Sequence, residues 1–344
     1  MKYNTGMKIF IIALTTVLLI LAILCVFSYL EYRRTFFARM SEPTGFTAKY
    51  LSDHGVKHAD FSCPSSRGPL ICGIRLIPEG EPKALIVMTH GFNLSSEHYV
   101  SLAHFFTNKG YEVLLFDGIG VGMSDGTGIY GLPQQISNMK SVLDAVMDDP
   151  ELSAMPLLLF GHSWGGYAAA CVSYLGKYPV LGIITCAAFR KSSSSMYPTV
   201  KRRYPRGTAG FVLFWTLVVE RIICGRTSSF ISSKGLSMMG CPARVYHSTD
   251  DTLVYFDESF KIMREELKDD PKVEFIQLNG RNHDLIFPPE NDRRQRDIAK
   301  ALRTAEGEAR DQLISELWQL MSETDEDLAE DFVNFYDKCI EQQA

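Results

Sequence analysis

The sequence predicts an α/β fold in which a mostly parallel sheet carries helices on both faces. Short apolar runs alternate with amphipathic helical segments from residue 84 to residue 278, which is the pattern of a covered parallel sheet. Two strands at 56–63 and 70–78, separated by a Pro/Ser/Gly-rich turn, precede this alternation and should form an antiparallel edge. The 344 residues suffice for one large domain with a sizeable core.

An uncharged apolar run over residues 9–30 is long enough to cross a bilayer as a helix. It is longer than the apolar region of a usual signal peptide, and residues 26–29 offer no small-residue cleavage site. We therefore expect a single-pass membrane anchor at 1–31, a charged connector at 32–48 and a globular domain at 49–344. Basic residues flank the run on both sides, so the sequence does not assign the side of the membrane that holds this domain.

The globular domain continues with six further strands and the helices between them. The strands are predicted at 84–89, 112–116, 156–160, 181–185, 243–247 and 273–278. The helices are predicted at 98–109, 132–147, 164–178 and 256–267. Residues from about 291 to 344 repeat apolar side chains at helical spacing and are predicted to be added C-terminal helices.

The segment from about 189 to 240 interrupts the alternation of strands and helices. It joins a basic group at 201–206 to a very apolar stretch at 211–219, and we interpret it as a helical cap inserted between two strands. The apolar stretch either packs on the body or forms a wall for an acyl chain. The basic group is either solvated surface or a contact for anionic lipid.

Composition argues against several classes of partner. A net charge of −5 gives no basic footprint, so no nucleic-acid partner is expected. The eight cysteines include no C-x-x-C pair and no zinc-finger spacing, so no metal is expected. The glycines at 118–122 lack the spacing of a dinucleotide-binding loop, so no cofactor is expected. The oligomeric state stays open.

The sequence Gly161-His162-Ser163-Trp164-Gly165 points to nucleophilic chemistry. An apolar strand ends at Gly161, and a helix of small residues begins immediately after Ser163. The tight turn between them strains the backbone at the serine and requires the flanking glycines, because other backbone approaches closely. Ser163 also lies at the positive end of a helix, where developing negative charge is stabilised. Ser163 is therefore the candidate nucleophile.

A serine hydroxyl becomes a good nucleophile when a base takes its proton and a third group orients that base. In a strand–turn–helix context of this kind, the acid comes next in the chain and the histidine comes last. His283 follows the last predicted strand and is the candidate base. The candidate acid is Asp251, after the strand at 243–247, with Asp250 as the alternative.

The reaction also needs hydrogen-bond donors for the oxyanion of a tetrahedral intermediate. The backbone N–H of Trp164 is one candidate, since it follows the nucleophile. The backbone N–H of Phe92, in the loop after the strand at 84–89, is the other. We expect His90 to brace this loop and His162 to have a structural role.

Four motifs occur in the order of a known group of enzymes. They are His90-Gly91-Phe92, Asp117-Gly118-Ile119-Gly120-Val121-Gly122-Met123-Ser124, Gly161-His162-Ser163-Trp164-Gly165-Gly166, and Asn282-His283. With them, residues 83–284 resemble the α/β-hydrolases of the monoacylglycerol lipase, lysophospholipase and serine aminopeptidase group. The resemblance implies the α/β-hydrolase fold and a Ser-His-Asp triad. Ile119 departs from the group, which usually has arginine there and uses it to brace the floor of the site; Ser248 stands where glycine is usual.

These observations predict a membrane-anchored serine hydrolase that cleaves carboxylic esters through an acyl-enzyme. The anchor and the apolar cap favour lipid-like substrates such as monoacylglycerols or lysophospholipids. Acyl transfer or thioester hydrolysis would use the same residues. One alternative is an aminopeptidase of the proline-iminopeptidase type. Such an enzyme should have an acidic cap that holds a substrate ammonium, whereas Glu220 is the only carboxylate in the cap of this chain. A non-catalytic membrane-anchored binding module is another, and it predicts a broken triad.

Overall fold

A computed structural model describes residues 5–302 and 304–342 of the chain, and its eight strands form one twisted sheet. The strands are β1 (His58–Pro64), β2 (Leu70–Leu76), β3 (Leu85–Thr89), β4 (Glu112–Phe116), β5 (Leu157–His162), β6 (Val180–Cys186), β7 (Ala243–Ser248) and β8 (Val273–Leu278). Their order across the sheet is β1-β2-β4-β3-β5-β6-β7-β8. β1, β2 and β4 pair antiparallel, and all pairs from β4 through β3 to β8 are parallel. The predicted parallel sheet with an antiparallel edge is confirmed.

Twelve α-helices lie in the described part of the chain. They are α1 (Thr5–Phe36), α2 (Phe46–His54), α3 (Val100–Asn108), α4 (Gln134–Asp148), α5 (Trp164–Cys171), α6 (Ser192–Arg203), α7 (Arg206–Cys224), α8 (Ser232–Met239), α9 (Phe260–Glu266), α10 (Pro289–Ala301), α11 (Gly307–Met321) and α12 (Glu326–Glu341). Several helices are shorter than predicted, because short 3₁₀ turns take their first or last residues.

The sheet has a hydrophobic core on each face. β3, β4 and β5 are buried along their whole length, which explains why they read as continuous apolar runs and do not alternate. On one face, side chains of α4, α5, α8 and α9 pack against the sheet. On the other face, the core is completed by α2, α3 and the C-terminal helices α10 to α12. The prediction of helices on both faces is therefore confirmed.

The cap lies between β6 and β7 and consists of α6, α7 and α8 with a short 3₁₀ turn. α7 packs against α1 and α6, so the cap meets the N-terminal helix. By length and hydropathy, α1 and the segment 207–239 are the two described segments that could span a membrane. The second packs partly on the body, since Val219 and Glu220 of α7 are buried. We therefore treat α1 as the candidate span, although a signal sequence would have the same composition.

The N-terminal helix extends beyond the predicted anchor at 1–31. It continues to Phe36, and its buried side chains Ser28, Tyr32 and Phe36 lie on its last three turns. The segment predicted as a charged connector, 32–48, packs on the globular domain and contains the start of α2. The apolar run itself ends at residue 30, but tertiary contacts of Tyr32 and Phe36 hold the next turns in the helix.

Candidate active site

Ser163 lies at the turn between β5 and α5, in the strained conformation that the elbow sequence predicts. Its φ of 53° and ψ of −111° lie in a region that residues with side chains rarely adopt. A Cβ atom at Gly161 would lie 2.4 Å from the carbonyl oxygen of Gly165, and one at Gly165 would lie 2.3 Å from that of Thr89. The glycines therefore let three backbone segments meet beneath the serine.

Ser163, His283 and Asp251 form a continuous hydrogen-bonded chain. His283 Nε2 lies 2.9 Å from Ser163 Oγ, and His283 Nδ1 lies 2.7 Å from Asp251 Oδ2. Each of these residues is 5% exposed. With Nδ1–H donating to the carboxylate, Nε2 accepts the proton of the serine hydroxyl, which is the arrangement that general-base activation requires.

The structure gives the two neighbouring aspartates different surroundings. Asp251 Oδ1 accepts the backbone N–H groups of Leu253 and Val254, each at 2.8 Å, while its Oδ2 faces His283. Asp250 is exposed and accepts from the Ser248 hydroxyl at 2.6 Å and from the Gly280 N–H at 2.9 Å. Asp250 therefore ties together the loops after β7 and β8, and Asp251 is the carboxylate in contact with the histidine.

The carboxylate of Asp251 remains ionised at neutral pH. Burial alone would raise its pKa, but the charge of His283 and hydrogen bonds from His247 and His283 hold that pKa well below the usual range. The Nε2–H of His247 lies 3.3 Å from Asp251 Oδ2 and 2.9 Å from the Val254 carbonyl oxygen. An ionised Asp251 can hold His283 in position and stabilise its protonated form.

The loop after β3 lies against the nucleophile elbow. A Cβ atom at Gly91 would lie 3.4 Å from Ser163 Cβ, so the Phe92 backbone follows directly beside the serine. Outside the regular elements of the described chain, neither the Phe92 nor the Trp164 amide donates to another backbone group. The assignment of these two amides as oxyanion donors stays a prediction. The side-chain rings of Phe92 and Trp164 also meet edge to face, with centroids 5.9 Å apart.

Tyr99 and His162 connect the three loops of the site. The Tyr99 hydroxyl accepts the Gly91 N–H at 2.9 Å and donates to His162 Nδ1 at 2.7 Å. His162 Nε2–H donates to the backbone carbonyl of His283 at 3.1 Å. Burial, followed by the charge of His283, lowers the pKa of His162 to about 4, so it stays neutral in this role. His162 has the structural surroundings that we expected.

His162, His283 and Asp284 place metal-ligand atoms within 4.8 Å of one another. Both ring nitrogens of His162 are already engaged with Tyr99 and the His283 carbonyl. Those of His283 are engaged with Ser163 and Asp251. Because the imidazole nitrogens are committed to hydrogen bonds, the cluster fits a proton-transfer site better than a metal site.

His90 braces the loop that carries Phe92. Its Nδ1–H donates to the Gly91 carbonyl at 2.9 Å, and its Nε2 accepts the Gly118 N–H at 3.1 Å. Burial lowers the pKa of His90, in keeping with a neutral ring that donates from one nitrogen and accepts at the other. This histidine links the loop after β3 to the loop after β4.

A cavity of about 670 Å³ opens onto Ser163 and His283. The loop after β3, the cap helices and the last turns of α1 form its walls. Apolar side chains supply much of the lining, and they are Tyr32, Phe36, Phe92, Leu94, Leu132, Met196, Val200, Val212, Leu253 and Val254. Charged side chains also border it, and Arg203 of α6 pairs with Glu31 of α1 at 3.0 Å.

Glu220 lies outside the lining of this cavity. It is fully buried on α7, and neither carboxylate oxygen has a hydrogen-bond partner among the described residues. Burial raises its pKa to about 8, and the nearby Ser192 hydroxyl and Leu132 backbone offset only part of that rise. Glu220 therefore does not face a substrate, and the carboxylates that border the cavity are those of Glu31 and Asp284.

Sequence reasoning missed the roles of Tyr99, His247 and the end of α1. Tyr99 and His247 reach the triad through the fold, and neither belongs to a motif that marks them. Tyr32 and Phe36 line the cavity although they follow an apolar run that dominates the local sequence signal. The aromatic residues just beyond residue 30 were the available hint, since a solvated connector has little need of them.

Comparison with known proteins finds similarity to proteins of the α/β-hydrolase fold. The family model described as serine aminopeptidase, S33, matches residues 80–223. Monoglyceride lipase of Mus musculus is 34% identical over 101 residues, which cover 28% of this chain and 32% of the lipase. The polyketide transferase ATR5 of Stachybotrys chlorohalonatus is 28% identical over 113 residues, which cover 32% of this chain and 38% of that protein. The matches span about a third of each relative's length.

Solved structures show the same fold. The esterase Pf2001 of Pyrococcus furiosus superposes with a TM-score of 0.54 at 17% identity, covering 75% of this chain and 94% of the esterase. The α/β-hydrolase GrgF of Penicillium sp. sh18 gives a TM-score of 0.50 at 16% identity, covering 72% of this chain and 99% of GrgF. At such identities the likeness concerns the fold alone. The chain has the α/β-hydrolase fold and resembles the monoacylglycerol lipase and serine aminopeptidase group, as its motifs predicted.

Proposed function

We propose that this α/β-hydrolase-fold protein is a serine hydrolase that cleaves carboxylic esters of lipid-like substrates, such as monoacylglycerols or lysophospholipids. The observation that carries the proposal is the hydrogen-bonded chain from Asp251 through His283 to Ser163, at the base of a largely apolar cavity. A fold kept only for binding has no need of a buried, ionised carboxylate aligned in this way.

In the first half of the reaction, Ser163 Oγ attacks the ester carbonyl while His283 Nε2 takes the hydroxyl proton. Asp251 stabilises the imidazolium that forms and keeps its Nδ1–H oriented. The Phe92 and Trp164 amides donate to the oxyanion of the tetrahedral intermediate. Loss of one such donor typically costs about 2.7–4 kcal/mol of transition-state stabilisation. His283 then donates its proton to the departing alcohol, leaving an acyl group on Ser163.

In the second half, water attacks the acyl-enzyme and His283 takes one of its protons. The tetrahedral intermediate collapses, the carboxylic acid leaves, and the proton returns to Ser163. An alcohol or amine acceptor in place of water would make the same site an acyl transferase. The Glu31–Arg203 pair borders the cavity and is partly exposed to solvent.

The cavity and α1 together support a lipid-like substrate. The apolar run at 9–30 extends about 33 Å as a helix, close to the thickness of a bilayer core. Glu31 follows that run directly and borders the cavity. The cavity therefore lies next to the level at which α1 would leave a membrane, where single-chain amphiphiles place their ester groups.

The proposal is tested by ester hydrolysis with the full-length protein in detergent micelles or nanodiscs. Nitrophenyl esters of increasing acyl length are compared between the wild type and the Ser163→Ala variant. We expect hydrolysis that is lost in the variant and a preference for medium or long acyl chains over acetate. Monoacylglycerol and lysophosphatidylcholine then serve as natural-type substrates.

A matched control is Ser229→Ala, which changes an exposed serine on the cap. This control should keep wild-type activity. A folded wild type that hydrolyses none of the esters would contradict the proposal, as would activity that survives in Ser163→Ala. A preference for acetate would retain the esterase and contradict the lipid-like substrate.

A further inference from the structure

Residues 36–41 begin at the last residue of α1 and form a segment that we call the strap. The strap pairs with the glycine-rich loop after β4. The Met40 N–H donates to the Gly120 carbonyl at 2.8 Å, and the Gly122 N–H donates to the Ser41 carbonyl at 3.1 Å. A Cβ atom at Gly128 would lie 2.7 Å from the Phe37 backbone. The loop at 117–128 thus leaves room for the strap and binds it through main-chain groups.

Arg39 gives the strap a charged contact with the same loop. Its guanidinium donates to the backbone carbonyls of Ser124 at 2.8 Å and Gly126 at 3.2 Å, and to that of Gly122. Three carbonyl oxygens converging on one cation form a site that a fixed fork of N–H donors satisfies well. Residues 117–128 contain no lysine or arginine, and Ile119 is buried, so the cation comes from outside the loop.

The strap also touches the loop that carries the predicted oxyanion donor. The Asn93 N–H lies 2.9 Å from Met40 Sδ, and Asn93 has the unusual φ of 63°. The rings of Phe36 and Phe92 meet edge to face with centroids 6.1 Å apart. Phe92 therefore contacts the strap on one side and Trp164 on the other.

Hydrogen bonds through the glycine-rich loop also connect the strap to the loop that carries the Phe92 amide. The Gly118 N–H donates to His90, and His90 donates to the Gly91 carbonyl. Asp117 Oδ1 accepts the Ser96 N–H at 2.7 Å, just beyond the loop after β3. These hydrogen bonds connect the loop at 117–128 to residues 90–96.

We propose that the strap is a positioning element of the active site and that Arg39 is its principal positioning residue. By holding the loops after β3 and β4 together, it keeps the Phe92 amide aimed at the developing oxyanion. Catalysis is thereby coupled to the docking of the helix that carries the strap. The kinetic part of this inference rests on the proposed esterase function, whereas the structural part does not.

The test compares Arg39→Ala, Arg39→Lys and Met40→Leu with the wild type, all as full-length protein in the same detergent. Arg34→Ala is the matched control, since Arg34 is an exposed arginine on the last turns of α1. Two quantities are measured: kcat and KM for a nitrophenyl ester, normalised to the fraction of active sites that a fluorophosphonate titrates, and amide hydrogen exchange of the peptide covering residues 90–95.

We expect Arg39→Ala to lower kcat by about 10- to 100-fold while KM changes by less than about threefold, because a misplaced donor weakens the transition state more than the bound substrate. Arg39→Lys should recover part of the loss. Met40→Leu conserves volume, so it should fold, lower kcat several-fold and speed exchange at the Asn93 amide. Arg34→Ala should match the wild type.

The inference would be overturned if the kcat of Arg39→Ala equalled that of the wild type or that of the control Arg34→Ala. If the wild type hydrolyses no ester, the proposed function fails by itself and the exchange measurement decides about the strap. Faster exchange at residues 90–95 in Arg39→Ala and Met40→Leu, with slow exchange retained in β5, would support the positioning role. Unchanged exchange at residues 90–95 in both variants would overturn it.

Discussion

Two adjacent aspartates after β7 show how a difference of one residue separates two roles. Asp251 is buried and faces His283, while Asp250 is exposed and holds the neighbouring loops. The sequence predicts Asp251 with Asp250 as the alternative, since both follow the same strand. The choice depends on which side chain the turn directs inward, and that direction depends on backbone contacts with residues 253 and 254.

Replacing Asp251 by Asn should lower kcat by about 10⁴-fold, because the amide favours the wrong tautomer of His283. The measurement is the steady-state rate with a nitrophenyl ester. Asp250→Asn is the matched comparison and should lower kcat less than about tenfold, through loosening of the loop at 280–282. Equal losses in the two variants would contradict the assignment of Asp251.

At the scale of elements, the strands and the nucleophile elbow could be predicted because their signals are local. β5 is a run of buried apolar residues, and the glycines of the elbow lie within two positions of Ser163. The contacts of Arg39 and Tyr99 could not be predicted in this way. Arg39 meets carbonyls 83 to 87 residues away in the chain, and Tyr99 meets a histidine 63 residues away. No periodicity or spacing encodes such contacts.

The cap helix α7 carries a buried acid whose ionisation should oppose folding. The pKa of Glu220 is raised from 4.5 to about 8 in the folded protein, so between these values the unfolded chain loses a proton that the folded chain keeps. Stability therefore falls as pH rises from about 4.5 to about 8. Glu220→Gln removes this slope.

We expect the free energy of unfolding of Glu220→Gln, relative to the wild type, to increase by about 1–3 kcal/mol between pH 5 and pH 8. Thermal unfolding of both proteins across this range is the measurement. Glu308→Gln, at an exposed position on α11, is the control and should show no such increase. If the free energies of unfolding of Glu220→Gln and the wild type differed by the same amount at every pH, the Glu220 carboxyl would be solvated or paired in solution.

At the scale of the whole molecule, α1 is shared between a candidate membrane span and the globular domain. Tyr32 and Phe36 are 1% and 5% exposed, and the Tyr32 hydroxyl donates to the Tyr130 carbonyl at 3.1 Å. Burying two aromatic side chains of this size stabilises the fold by about 3–6 kcal/mol. The predicted division into an anchor at 1–31 and a connector at 32–48 therefore cuts through a packed part of the site.

Two N-terminal deletions test this view of α1. A fragment 27–344 keeps the buried turns and the strap, and we expect it to keep ester hydrolysis within about threefold of the full-length protein. A fragment 42–344 loses both, and we expect at least a tenfold lower kcat together with a lower thermal midpoint. Equal activity and stability of the two fragments would show that α1 serves for membrane attachment alone.

The central claim is that Ser163 is a nucleophile activated by His283. The measurement that tests it most directly is labelling of the full-length protein with a fluorophosphonate, followed by mass spectrometry of the peptide that contains the serine. The account predicts one phosphonate on Ser163 in the wild type, none in Ser163→Ala and strongly slowed labelling in His283→Ala. An unlabelled wild type that is folded, or a label that persists in Ser163→Ala, would contradict it.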